Sequence, residues 1–150
     1  MQAWLALSLF LAAGQHEPTA AALTATAHTE AALYVTRHLD VLSFPNSMRS
    51  RARIGAHTPM DYGFIDFKPI GSKGDVGAYT NEKSWFFAVR IIRKQRDNML
   101  LCIKDMAVNG SDQATYPLEV RLGSDGLFHS TGIVPPPVAY EGCYLEGVVD

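Results

Sequence analysis

Cys102 and Cys143 are the chain's two cysteines, and two thiols in one chain have three outlets. They can pair as a disulfide, help to hold a metal, or stay reduced as small core residues. Zinc asks for four close ligands, and neither cysteine has a second Cys or a His at ligand spacing. The disulfide is therefore expected if the chain reaches an oxidising compartment. It would close a loop of about 40 residues, worth roughly 2–4 kcal/mol by loop entropy. Two unpaired thiols are the alternative.

The cationic residues are the next candidates. Arg90, Lys104 and Arg121 sit in three runs that read as strands, each on the face opposite the apolar one. If the register aligns them, they form a row able to bind an anionic ligand or an acidic protein surface. Glu119, two residues from Arg121, would neutralise part of that row. A solvated face with weak cross-strand ion pairs is the competing reading. Arg93, Lys94 and Arg96 crowd a polar hairpin tip, RKQRDN, and Arg49, Arg51 and Arg53 alternate in a loop. Loop tips on a rigid sheet commonly carry recognition. Aromatic residues scarcely interleave with these clusters and the formal net charge is -2, so nucleic acid is not an expected partner.

Acid–base chemistry has weaker support. The histidines His16, His28, His38, His57 and His129 are scattered. His28 and His38 are too far apart on one helix to share a ligand. His57 with Asp61 and Tyr62 is the one local group that invites proton transfer, and Asp66 is a second carboxylate. Alternation places Asp66 opposite Ile65 and Phe67, toward solvent. The chain has no phosphate loop, HExxH, nucleophile elbow or CxxC, and Gly71-Ser72-Lys73-Gly74 lacks phosphate-loop spacing. Asn109-Gly110-Ser111 matches a glycosylation sequon but reads first as a turn. No pattern asks for a metal or a cofactor.

The elements that must position these groups begin with an apolar run, Ala3 to Ala13 (AWLALSLFLAA). It is shorter than the roughly 20 residues a membrane span needs and suits a signal-peptide core. Ala12 and Gly14 give small residues before a cut, so residues 1–14 are expected to be a signal peptide and 15–150 one mature domain. A cut as late as residue 22 fits as well. The short start, Met1-Gln2, lacks Lys or Arg, which leaves a buried or partner-binding helix as the alternative. No other stretch approaches spanning length, so a periplasmic or secreted protein without stable membrane insertion is expected.

With 150 residues, 47% apolar and 19% charged, the chain suits one globular domain. Pro18 to about Ser43 has a helical repeat through Leu23, Ala27, Ala31, Tyr34, Val35, His38 and Leu42. Then the period becomes two. Strands are predicted at 62–67, 75–80, 85–92, 99–108, 115–122 and 127–131, with Trp85, Phe87 and Val89 facing the core beside Met99, Leu101 and Ile103. Cys102 then faces outward, where a tail following Pro135-Pro136-Pro137 could bring Cys143. Residues 140–149 would add an edge strand or wrap the surface.

Helix first and five or six meandering antiparallel strands after it make an α+β fold, the helix covering one sheet face. This order resembles the cystatin-like and NTF2-like architectures, in which a helix lies in the concavity of a curved sheet. The resemblance is of architecture alone, and such folds host unrelated functions. Three functions remain. The first is an exported binding protein of inhibitor or toxin-neutralising type, meeting another protein of the cell envelope or exterior. The second is a carrier of a small apolar ligand, with its cavity between the helix and Trp85-Phe86-Phe87. The third is a cavity enzyme of isomerase or hydratase type, using His57, Asp61 or Asp66.

Overall fold

The computed structural model describes residues 20–133 together with Gly142, Cys143 and Leu145. The expected signal peptide, the proline crossing and most of the expected C-terminal strand lie outside the described residues. Helix α1 (Ala20–Arg37) precedes six strands: β1 (Phe64–Ile70), β2 (Asp75–Thr80), β3 (Trp85–Gln95), β4 (Asn98–Ala107), β5 (Gln113–Leu122) and β6 (Phe128–Ile133). They form one sheet in sequence order, every neighbouring pair antiparallel. The described residues form an α+β domain with one helix against a six-stranded antiparallel sheet.

Alternation decides the two faces. Phe87, Val89, Leu101, Ile103, Leu118 and Val120 are buried on one side, in the main core. Phe86, Ala88 and Cys102 are buried on the other, beneath Cys143 and Leu145. A bulge changes this pattern near the end of β3. Ile91 pairs with Leu101 and Arg93 with Leu100, so Ile92 is an extra residue. Beyond it Arg93 faces outward with Leu100, while Lys94 joins Met99 and Val120 on the core side.

Two expectations about the helix need correction. It ends at Arg37, well before Ser43. Leu39 and Val41 are both fully buried. An extended chain points residues two apart the same way, whereas a helix would turn one of them from the core. Residues 38–40 therefore leave the helix and bond to β6, Phe128 N–H donating to His38 O at 2.7 Å and Asp40 N–H to Phe128 O at 2.9 Å. The buried face of α1 is also rotated from the expected one. Ala32, Val35 and Thr36 are buried, while Ala31 and Tyr34 are exposed. The helix alone does not cover the sheet. Leu39, Val41, Phe44, Met48, Ala56 and Tyr62, from the irregular segment after it, complete the core.

That segment is fastened from the sheet side. Asp105, opposite Phe87, accepts from Ser47 N–H at 2.6 Å and Ser47 Oγ–H at 2.8 Å. Burial pushes the Asp105 carboxyl up against these bonds. Tyr116 donates to Pro45 O at 2.6 Å, and its burial raises the phenol well above its ordinary value.

Candidate functional site

Cys102 faces outward on β4, and its Sγ lies 2.08 Å from that of Cys143, a disulfide joining residues 41 positions apart. Cys143 thus lies on the outer face. Arg90 helps to hold it there. Its guanidinium meets Asp75 with two bonds, Nε to Oδ1 and Nη2 to Oδ2, each 2.6 Å, and donates from Nη1 to Gly142 O at 3.3 Å. Arg90 is 8% exposed and Asp75 0%. Two charges this deeply buried persist because each satisfies the other.

The expected outer row of cations does not form. Arg90 lies opposite Cys102, Lys104 opposite Ala88 and Thr115, and Arg121 opposite Asn98. Thr115 and Arg121 are six positions apart along β5, about 20 Å at the rise of a strand. Arg90 is turned into its ion pair. Arg121 donates to Asn98 Oδ1 at 2.9 Å, and Asn98 donates in turn to Glu119 Oε1 at 2.7 Å. Glu119 therefore shares the outer network with Arg121, as the sequence predicts.

The cations meet elsewhere. A cleft of about 520 Å³ opens between α1 and the ends of β3, β4 and β5. Val35, Ile91, Met99 and Phe128 form its apolar lining, and Lys94, Arg96 and Arg121 stand among its polar residues with one acid, Asp97. A smaller continuation of about 320 Å³ runs along the same helix past His28, Ala31, Arg93 and Lys94. Two local features bring Lys94 and Arg96 here. The Ile92 bulge moves Lys94 to the core side. The two-residue turn between Gln95 and Asn98 carries Arg96 to the tip, with φ +46° at Arg96. Turns with positive φ at their first central residue favour glycine there, since a side chain in that conformation costs about 1 kcal/mol. A larger groove, about 690 Å³, lies on the outer face along Ile70, Tyr79, Phe86 and Val108. Its cations, Lys68 and Lys83, do not converge in the same way, and Lys68 is bonded to Asp66 at 2.7 Å.

The expected acid–base residues are placed differently from each other. Asp66 is exposed. Asp61 Oδ2 accepts from the backbone of His57 and from both N–H and Oγ–H of Thr58, closing a capping box on the short helical turn Pro59–Tyr62. The Thr58 backbone bond leads in holding Asp61 below its ordinary value. The His57 ring, 47% exposed, turns away from Asp61 to Asp40. Asp66 stands at the rim of the outer groove, paired with Lys68, while His57 and Asp61 bond within their own loop and to Asp40.

A cluster not expected from sequence lies where the segment after α1 meets β6. Asp40 places Oδ1 at 3.3 Å from His57 Nδ1 and Oδ2 at 3.0 Å from His129 Nδ1. The other nitrogen of His129 lies 2.8 Å from Asp125 Oδ2. The only sequence signal was the spacing of Asp125 and His129 across Ser124-Asp125-Gly126. Asp40 was hidden inside the expected helix. Among the described residues no group of three His, Cys, Asp or Glu side chains converges to hold a metal ion, and no helix is long and apolar enough to cross a membrane. Comparisons with protein-family models, with curated proteins and with solved structures found no match.

Proposed function

We propose that this protein is an exported binding protein whose site is the cleft between α1 and the β3–β4 hairpin tip. Its partner is an acidic segment of another envelope or extracellular protein, inserting an apolar side chain. The observation that carries this reading is one cleft lined by Val35, Ile91, Met99 and Phe128, with Lys94 and Arg96 over it and Arg121 at its rim. Exposed Tyr34 and Leu122 at the cleft supply further apolar contact. The disulfide supports export, because such bonds persist in oxidising compartments. A volume of about 520 Å³ also suits a small apolar ligand, the carrier reading, though this cleft is lined by Ile91 and Met99 and not by the expected Trp85-Phe86-Phe87.

The test is a fluorescence-anisotropy titration with a labelled peptide carrying glutamates on both sides of a Leu-Phe pair. Three exposed ion pairs of up to about 1 kcal/mol each predict a loss of roughly tenfold to a hundredfold in K94E/R96E/R121E. The control K68E/K83E, at the outer groove, should bind as the parent does. Equal affinity in the cleft variant and the parent would refute the site. A fatty acid that binds and displaces no peptide would favour the carrier.

A further inference from the structure

His129 makes three elements meet. Its Nδ1 faces Asp40 Oδ2 at 3.0 Å, and its Nε2 faces both oxygens of Asp125, at 3.0 and 2.8 Å. A neutral imidazole has one N–H and one lone pair, and an ionised carboxylate only accepts. With neutral His129, one of these contacts would set a lone pair against a carboxylate oxygen. Only the imidazolium donates to both. We infer that His129 is a proton-operated latch, whose imidazolium between Asp40 and Asp125 ties the last hairpin to the segment leaving α1 and whose deprotonation releases that tie.

The surroundings suit this role. Asp40 is 7% exposed and needs a partner for its charge. Leu42 N–H gives its Oδ1 one bond at 3.2 Å. The seam held by the latch is otherwise short: the two main-chain bonds between residues 38–40 and Phe128, and Ser130 N–H to Ser43 Oγ at 2.9 Å. Gly123 makes room for the pair. A Cβ there would stand 2.6 Å from Asp125 Oδ1 and 2.7 Å from His129 Cδ2.

Other charged groups face the cluster from each element. His57 lies on the far oxygen of Asp40, and Asp61 bonds the backbone of His57, not its ring. His38, at the end of α1, has its Nδ1 on Tyr34 O at 2.8 Å. Arg121, across the strand pair from His129, opposes the proton, but its Nε is committed to Asn98. Two carboxylates in contact outweigh one guanidinium directed elsewhere. In keeping with this, the bond to Asp125 leads in raising His129 above its usual 6.5, and the bond to His129 leads in holding Asp125 below 3.8.

The raised histidine binds its proton more tightly in the folded state. Its contribution is complete below about pH 6.5 and is lost as pH rises through the folded value. Asp125 shifts the other way, so its contribution is lost as pH falls through its lowered value. The latch is closed between those limits. It does not depend on what occupies the cleft.

The experiment is a side-chain ¹⁵N titration of His129 in the full domain, with denaturant unfolding of the parent and H129Q at about pH 6 and pH 8. The expected result is two protonated ring nitrogens at pH 6, an inflection above 6.5, and a parent that loses stability toward pH 8 while H129Q does not. Asp125→Asn, at an exposed position, should lower the inflection without unfolding the domain, which keeps the test open if H129Q does not fold. A neutral His129 tautomer at pH 6, or an inflection unmoved by Asp125→Asn, would overturn the inference.

Discussion

Removing the disulfide with C102A/C143A should cost the domain about 4 kcal/mol. The bonded residues are 41 positions apart, and loop entropy of about 2.1 + 1.5R ln n cal/mol/K then gives about 13 cal/mol/K, or about 4 kcal/mol at 25 °C. The loop contains β5 and β6, so the bond restrains a large part of the unfolded chain. A second loss follows only if the tail detaches. Leu145, 6% exposed beside Phe86 and Ala88, would then return to water at about 2 kcal/mol. The assay is guanidinium unfolding of the oxidised parent and the double variant, followed by far-UV circular dichroism. With a slope of about 3–4 kcal/mol/M, the midpoint should fall by about 1 M. A change below about 1 kcal/mol would refute the reasoning, because it would mean that the bond restrains nothing the unfolded chain otherwise explores.

Asp75→Ala strands the buried guanidinium of Arg90 and should destabilise by about 3–5 kcal/mol, read in the same unfolding assay. Arg96→Gly should do the opposite, raising stability by about 1 kcal/mol while weakening the acidic peptide, since glycine accepts the turn's positive φ and carries no charge. Stability measured against pH should decline from about pH 6 to pH 8 as His129 loses its proton, and a parent as stable at the upper value would contradict the sign.

The strands were legible because alternation is local. The order Trp85, Phe87, Val89 against Leu101 and Ile103 names the core face, and the outward position of Cys102 follows from the same count. That outward position is also what made the disulfide with Cys143 readable. The end of α1 was not legible, because Leu39 and Val41 fit a helical stripe loosely and an extended one better. What separates the two is Phe128, nearly ninety residues later in the chain. The cleft was half legible. Lys94, Arg96 and Arg121 were visible as cations, but a row from Arg90 through Lys104 to Arg121 assumed a register that the pairing of Lys104 with Thr115 excludes. The single extra residue at Ile92 then decided which side of the sheet Lys94 would serve, and no composition or period announces it. Asp40 and His129 come together only through the finished fold.

Mapping the acidic Leu-Phe peptide onto the ¹H–¹⁵N spectrum of the domain shows whether partners are met in the cleft. Binding there gives shifts concentrated at Val35, Ile91, Lys94, Arg96, Arg121 and Phe128, lost in K94E/R96E/R121E. Shifts centred instead on Ile70, Tyr79 and Phe86, at the outer groove, would contradict it.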